Sequence, residues 1–592
     1  MCKIRTLQAI FVCAAAAFAA NPPGNAFYQH NLVADTPGIA DFTDPNLINP
    51  WGIATSAASP FWVDDTGTGL STVYTSTGSI SATHAVVPLA GGKTGTGTPT
   101  GIIANATGNF AVKPGTNASF IFSTIDGTIS AWANAVSPTQ ATVMIDNSTK
   151  GAVYFGLAVN SNTATNSPIL YAPNFKSGKV EMYDGAWNPI AAGANAFVDP
   201  AVPAGYAPFN IWLLGGKLYV AWAKQNASGT FATRGAGLGE ISVFDTGGAL
   251  IKHLVSGGQL NEPWGLAIAP ANFGAFANDL LVGNFGDGTI NAYDPATGAF
   301  VGTMQDTKGN NIVLDGLWAL IVGNGGNGGD PNAVYFSAGT GGEKHGLLGS
   351  LQAAPVVSAG AVGNAADVSP SIAPNTFISI YGANLAATTR VWATKDFNGN
   401  NLPTTLDGVT VTVNGKPAYV YYVSPKQVDV LTPLDSATGP VQVVVTNNGL
   451  ASGNIATTMA TFSPAFFLLK DNASVAAQHA NGSLVGATTL YPNASTPAKP
   501  GETIVLYGTG FGATTPGVTD GVLNTSPLPT ATTPVVTIGG ASATVSSAMM
   551  ISPGLYQLNV VVPASAADGN DPVVATIGGV TSATGAFVTV LH

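Results

Sequence analysis

A six-fold internal repeat constrains this chain more than any other feature. The tripeptide Pro50-Trp51-Gly52, in "NPWGIATS", returns as Pro263-Trp264-Gly265 in "EPWGLAIA". With Gly52 as marker, glycines followed by aliphatics stand at Gly101, Gly156, Gly265 and Gly316, and Asn210 takes the same place in "FNIWLL", at spacings of 49, 55, 54, 55 and 51. A second marker keeps step, a glycine with an aromatic five residues on: Gly69 with Tyr74, Gly127 with Trp132, Gly178 with Tyr183, Gly239 with Phe244, and Gly288 with Tyr293. Between the markers each unit carries a short apolar run, such as "FWVDD", "SFIFST" or "DLLVGN". Strand, turn, strand, glycine turn and strand, repeated six times, is the pattern of a six-bladed β-propeller. The segment "FYQHNLVAD", residues 27 to 35, is expected to supply the strand that closes the ring against the last unit.

After residue 353 a Pro/Ala/Gly-rich passage leads into strands spaced by turns, and a longer repeat appears. "FISIYGANL" at 377 to 385 matches "TIVLYGTGF" at 503 to 511, and "VTVTVNGKPAYVYYVSPKQVDVLTP" matches "PVVTIGGASATVSSAMMISPGLYQLNVVVP". Two tandem immunoglobulin-like β-sandwiches follow from that spacing. The expected layout is a leader at 1 to 20, a propeller at 27 to 352, and sandwiches at 356 to 468 and 471 to 592. Three resemblances attach to these motifs. The repeat units resemble NHL-type propeller repeats, and the stretch from "NLVADTPGIADF" to "FWVDDTGTG" is similar to the opening of an uncharacterised family of bacterial secreted propellers. "YGxxL/F", "VxVxGxxA" and "PxxxxVxVxxP" resemble the IPT/TIG group of immunoglobulin-like domains. "SPGLYQLNVVVP" looks like a C-terminal domain of unknown function carried by bacterial secreted proteins.

Composition agrees with an all-β chain. Only 8% of residues are charged, against 73 Gly and 39 Pro among 592, a mixture suited to short strands and tight turns and poor for helices. Lys3 and Arg5 precede an apolar run from about Leu7 to Ala20 that ends in Ala17-Phe18-Ala19, the form of a secretory signal peptide. Both cysteines, Cys2 and Cys13, fall inside it, so the mature chain is expected to hold no disulfide. Without Lys3 and Arg5 the formal charge moves from −11 to −13. A surface of that sign, with no basic cluster, disfavours nucleic acid and anionic membranes. No apolar stretch after the leader is long enough for a transmembrane helix. The implied address is extracellular or periplasmic.

Motifs for chemistry are few. Gly323, Gly325 and Gly328 satisfy G-x-G-x-x-G, but a turn and a strand follow where a phosphate-binding helix is needed, so a blade loop is expected. The sequence has no nucleophile elbow, zinc motif or EF-hand loop, and its six histidines are scattered. No catalytic residue, metal ligand or cofactor is assigned. The enzyme candidate is a six-bladed lactonase of the gluconolactonase type, a family in which a divalent metal at the channel mouth takes oxygen ligands from residues just before the glycine of the inner strands. The corresponding residues here are Trp51, Thr100, Phe155, Phe209, Trp264 and Asp315, of which only Asp315 is a carboxylate. A metal-dependent hydrolase would have to build on Asp315.

The aromatics open two readings. Trp51, Phe155, Phe209 and Trp264 either stack on a sugar or an apolar ligand at the channel mouth, or plug the axis. Turn residues Asp64, Asp65, Asp126, Asn174, Lys176, Asn284 and Asp287 are expected on the same face, which makes it the candidate binding face, although Asp and Asn also serve turns for their own sake. The expectation is an exported, non-catalytic binding or adhesion protein, with an extracellular glycan or a surface protein as ligand and the sandwiches as spacer or adhesion modules.

Overall fold

The computed structural model describes residues 24–160 and 167–592. The leader expected at 1 to 20, with Cys2 and Cys13, lies outside the described residues. The fold is all-β, and it divides into two compact units, one of Asn25–Ala353 and one that holds Ala354–His592.

The first unit is the six-bladed propeller. Blade one runs outward through Pro50–Ala54, Phe61–Asp65, Leu70–Tyr74 and Ile80–Val86, and blades two to five repeat that antiparallel order. Blade six supplies Leu317–Val322, Val334–Ala338 and Leu347–Ala353, and its next strand is Phe27–Ala34, paired antiparallel along Leu347–Ala353. The ring is thus closed by hydrogen bonds between segments more than 300 residues apart in sequence. The second strands "FWVDD", "FIFST", "LLVGN" and "VYFSA" are buried at every residue. Each lies in mid-sheet with blades on both sides, which is why these runs read as continuously apolar rather than alternating.

The repeat glycines are explained by packing at the axis. A Cβ on Gly101 would come within 2.6 Å of the Gly156 Cα in the next blade, and one on Gly52 within 2.9 Å of the Thr100 carbonyl oxygen. Only a residue without a side chain lets inner strands approach that closely. Just before this glycine the pairing slips by one residue: Pro99 faces Thr124 and Gly101 faces Ser123, Pro208 faces Trp222 and Asn210 faces Ala221, and Pro263 faces Asn284 and Gly265 faces Gly283. The skipped residues, Thr100, Phe209 and Trp264, sit on β-bulges, which re-aim a side chain away from the ladder.

That register corrects the reading of blade six. Leu317 faces Ala338 and Leu320 faces Phe336, as Pro50 faces Asp65 and Ile53 faces Val63 in blade one. The blade-six counterpart of Trp51-Gly52 is therefore Trp318-Ala319, and Asp315 with Gly316 lies in the turn before the strand. The glycine marker misled there because Gly316 serves another purpose, a left-handed turn at φ 68°.

In the second unit, the first sandwich packs a sheet built on Val356–Asn364, Phe377–Ala383, Gln427–Leu431 and Tyr419–Val423 against one built on Val409–Val413, Gly439–Asn447 and Ile455–Met459. "VTVTV" at 409 to 413 alternates buried Val with half-buried Thr, as a one-sided strand must. The second sandwich differs in its connectivity. Its long strand Ala541–Ser552 pairs with Leu555–Val561 and also with Val535–Ile538, so that one hydrogen-bonded sheet runs through the module.

Candidate functional site: the two ends of the propeller axis

At the end where the inner strands begin, the bulges turn five aromatics inward. Trp51 stacks on Trp318 with ring centroids 3.4 Å apart and on Phe155 at 5.5 Å, and Trp264 meets Trp318 edge-on at 5.9 Å. Phe209 stands 5.3 Å from Phe155 and 6.2 Å from Trp318. Trp51, Phe155, Phe209, Trp264 and Trp318 are each exposed by 2% or less. This corrects the stacking-face reading of Trp51, Phe155, Phe209 and Trp264: their rings are spent on one another and on Trp318, in stacked and edge-on contacts, and together they plug the axis.

The polar candidates of the same end stand at the ends of second strands and in the turns that follow them. Asp126 accepts the Thr98 N–H at 2.7 Å and its hydroxyl at 2.9 Å. Asn174 donates to Glu181 at 2.8 Å, and buried Asn284 donates to the Gln259 carbonyl at 2.7 Å. Asp287 accepts the Thr289 N–H and hydroxyl, and Lys176 donates to the Ser228 carbonyl. Asp315 accepts the Gly341 N–H at 2.8 Å and stands outside the axial ring, whose blade-six member is Trp318. A hydrolase built on Asp315 therefore loses its carboxylate at the ring. Among the described residues no group of three or more His, Cys, Asp or Glu side chains is arranged to hold a metal ion.

Asp64 and Asp65 are fully buried. Asp65 accepts the Thr72 hydroxyl at 2.7 Å, but neither oxygen of Asp64 has an aligned hydrogen-bond partner. Burial holds both carboxyls well above the usual carboxylate range, and the Ser71 hydroxyl beside Asp64 offsets only part of that effect. Counterparts of Asp64 opposite the bulge are Ser123 in blade two and Ser337 in blade six. Ser337 donates to the Trp51 carbonyl of the next blade at 2.5 Å. Where those blades use a small donor, blade one buries an acid.

Around the rim of the plug lies a set that sequence reasoning missed. Asn49 and Glu262, the residues before the two Pro-Trp-Gly copies, both adopt left-handed φ, at 48° and 52°, and Glu343 does so at 67°. That conformation is strained for a residue with a side chain, most of all before proline. Asn49 accepts the Trp318 indole N–H at 3.1 Å and donates to Glu343 at 3.1 Å. Glu262, with 3% of its side chain exposed, has Arg234 Nε 3.4 Å from Oε2. Desolvation raises its carboxyl to about 7, against the attraction of Arg234 and with repulsion from Glu343 adding to the rise. The only sequence signals were the recurring pre-proline position and the long gap between strands Lys217–Lys224 and Gly239–Phe244, which carries Arg234.

The opposite end of the axis is open. The later residues of the inner strands enclose a recess of about 240 Å³ whose walls include Thr55, Ile103, Val159, Leu213 and Ile321 and whose floor reaches Gly52, Asn210 and Trp264. Asn210 donates to the Trp264 carbonyl at 3.0 Å, and the Trp212 indole N–H points at the same oxygen at 3.4 Å. The recess is mostly apolar with amide and carbonyl groups at its base, the usual make-up of a small-ligand pocket. It lies on the face away from the one favoured by sequence, because alternate residues along an inner strand carry no mark of which end of the axis is left open.

Comparison with known proteins adds three findings. Residues 366–464 match the model of the IPT/TIG domain. A streptogramin B lyase structure aligns over 55% of this chain and 97% of its own length at 12% identity, with a TM-score of 0.33, a likeness that carries no functional argument. Two proteins of Acanthamoeba polyphaga mimivirus are more similar in sequence: R648, 33% identical over 332 residues covering 54% of this chain and 78% of the relative, and L690, 31% identical over 330 residues covering 54% and 84%. The expectation of a bacterial family is corrected by these viral relatives. The chain belongs to the same family as the uncharacterised mimivirus proteins R648 and L690.

Proposed function

We propose that this chain is an exported, non-catalytic binding protein that takes its ligand in the open axial recess, either a sugar of an extracellular glycan or a side chain presented by a surface protein. The observation that carries this reading is the state of the inner-strand ring. Where a metal-dependent propeller would place oxygen ligands, Trp51, Phe155, Phe209, Trp264 and Trp318 stack into a plug, with Thr100 as the sixth member. Chemistry at that mouth lacks a ligand set, while the other end keeps a concave, largely apolar surface with Trp212 at its wall. The IPT/TIG domain and its companion sandwich fit a spacer or adhesion role beside such a platform.

A glycan array and a pull-down from cell-surface extracts, run with the wild type and with Thr55→Trp, test the reading. Thr55 is half-buried at the recess, and an indole there fills space the ligand needs. Binding to the wild type that falls at least tenfold in Thr55→Trp supports the proposal. Two empty screens, or binding that the filled recess leaves unchanged, contradict it.

A further inference from the structure

The plug does not end at Trp318. Phe285 stacks on it with centroids 3.9 Å apart, and the Arg234 guanidinium carbon lies 4.4 Å above the outer face of Phe285. A column of π faces thus runs from the axis to a cation at the surface. Glu262 and Glu343 flank it, with Asn49 holding Glu343 from the side of Trp318. Carboxylates beside an aromatic face form a receptor for a planar cation, since the guanidinium is attracted by the ring quadrupole and by charge together.

We propose that this mouth is a binding site for a guanidinium group, and that Arg234, from the long loop of blade four, is its resident and displaceable occupant. Three observations carry the assignment. Arg234 uses the site poorly: its side chain is 53% exposed, and its Nε approaches Glu262 Oε2 only to 3.4 Å without an aligned hydrogen bond. The same chain shows what a fully engaged arginine looks like, since Arg390 donates to both Asp396 and Asp407 at 2.7 to 3.1 Å. Glu262 is the complementary half. Its Oε2 is buried without a hydrogen-bond partner, so a better-aligned donor satisfies an atom that Arg234 leaves wanting. Finally, the site holds two carboxylates against one cation, an excess of negative charge when both are ionised.

Arg234 comes from a loop anchored on both sides of the site. Gln225 donates to the Phe175 carbonyl at 2.6 Å, and the Gly235 N–H is accepted by Asn261 at 2.8 Å. Phe231 of the same loop reaches the plug, 6.1 Å from Phe155, while about half of it stays exposed. The loop is thus tied down on both sides of Arg234, whose side chain is half exposed, which separates occupancy of the mouth from unfolding of the loop.

Titration of the full-length protein with methylguanidinium, read by tryptophan fluorescence because Trp318 underlies the site, tests this directly. Sodium chloride at equal ionic strength serves as the control. Arg234→Ala vacates the mouth, and we expect it to bind methylguanidinium saturably and at least tenfold more tightly than the wild type. Adding Glu262→Gln to Arg234→Ala abolishes that binding. N-acetylarginine amide distinguishes the source of the group: tighter binding than methylguanidinium indicates a peptide arginine, equal binding a free small cation. Equal responses of wild type and Arg234→Ala, or binding that survives Glu262→Gln, overturn the assignment. Arg234→Gln, which keeps much of the side chain's bulk, repeats the test should the alanine variant fold poorly. The recess at the far end of the axis is untouched by these variants, so its own test stands or falls separately.

Discussion

Glu262 makes the stability of the propeller depend on pH in a direction opposite to the usual carboxylate. Its side chain is 3% exposed and its carboxyl is raised from 4.5 to about 7. A group whose folded value lies above its unfolded one contributes stability that is fully present below about 4.5 and is lost as pH rises through 7. At 1.36 kcal/mol for each tenfold change in proton affinity, the rise from 4.5 to about 7 corresponds to about 3 kcal/mol between pH 4.5 and pH 8. The charged groups that act on Glu262 are Arg234 and Glu343, in opposite senses: the cation lowers its carboxyl and the neighbouring carboxylate raises it. Glu262→Gln keeps the shape and removes the titration. Urea unfolding of wild type and variant at pH 5 and pH 8, followed by tryptophan fluorescence, isolates the effect as a double difference. The wild type is expected to lose about 2.5 kcal/mol more than the variant on going from pH 5 to pH 8, part of the effect being already spent between pH 4.5 and pH 5. A double difference near zero, or a wild type that gains on the variant at pH 8, refutes the reasoning that burial dominates over Arg234 at this position.

Two further predictions concern the axis. Trp318→Ala removes the ring shared by Trp51, Trp264, Phe209 and Phe285, and is expected to destabilise the propeller by about 3–5 kcal/mol in the same assay. A loss under about 1 kcal/mol means the plug is not a packed core. Asp64→Ser gives blade one the residue that blades two and six use at that position. Removing a fully buried carboxyl with two unpartnered oxygens is expected to raise stability, by about 1–3 kcal/mol, whereas destabilisation of that size points to a partner for Asp64 that the protein alone does not supply.

How much of this was legible in the sequence differs by level. The propeller could be read because each blade solves the same two local problems, a glycine where inner strands crowd and a second strand buried on both faces, and both leave a periodic trace. Blade six escaped that reading, since Leu317-Trp318-Ala319 satisfies the same bulge without Pro or Gly while a nearby Gly316 imitates the marker. The aromatics could be placed at the axis but not on one side of the choice between plug and platform, because that depends on whether five rings from five blades fit together in three dimensions. Arg234, Glu262, Glu343 and Asn49 come from four blades and share no spacing, so only the closed ring brings them together. The open recess was invisible for the same reason, its walls being ordinary strand residues such as Ile103, Leu213 and Ile321.

The central claim is that one end of the axis is sealed by aromatics and the other receives the ligand. The most direct measurement is a crystal structure of the protein with a ligand recovered from the array or the pull-down. The account predicts the ligand between Thr55, Trp212 and Ile321, with the rings of Trp51, Trp264 and Trp318 still in mutual contact. A ligand seated among those three tryptophans, with the plug opened, contradicts it.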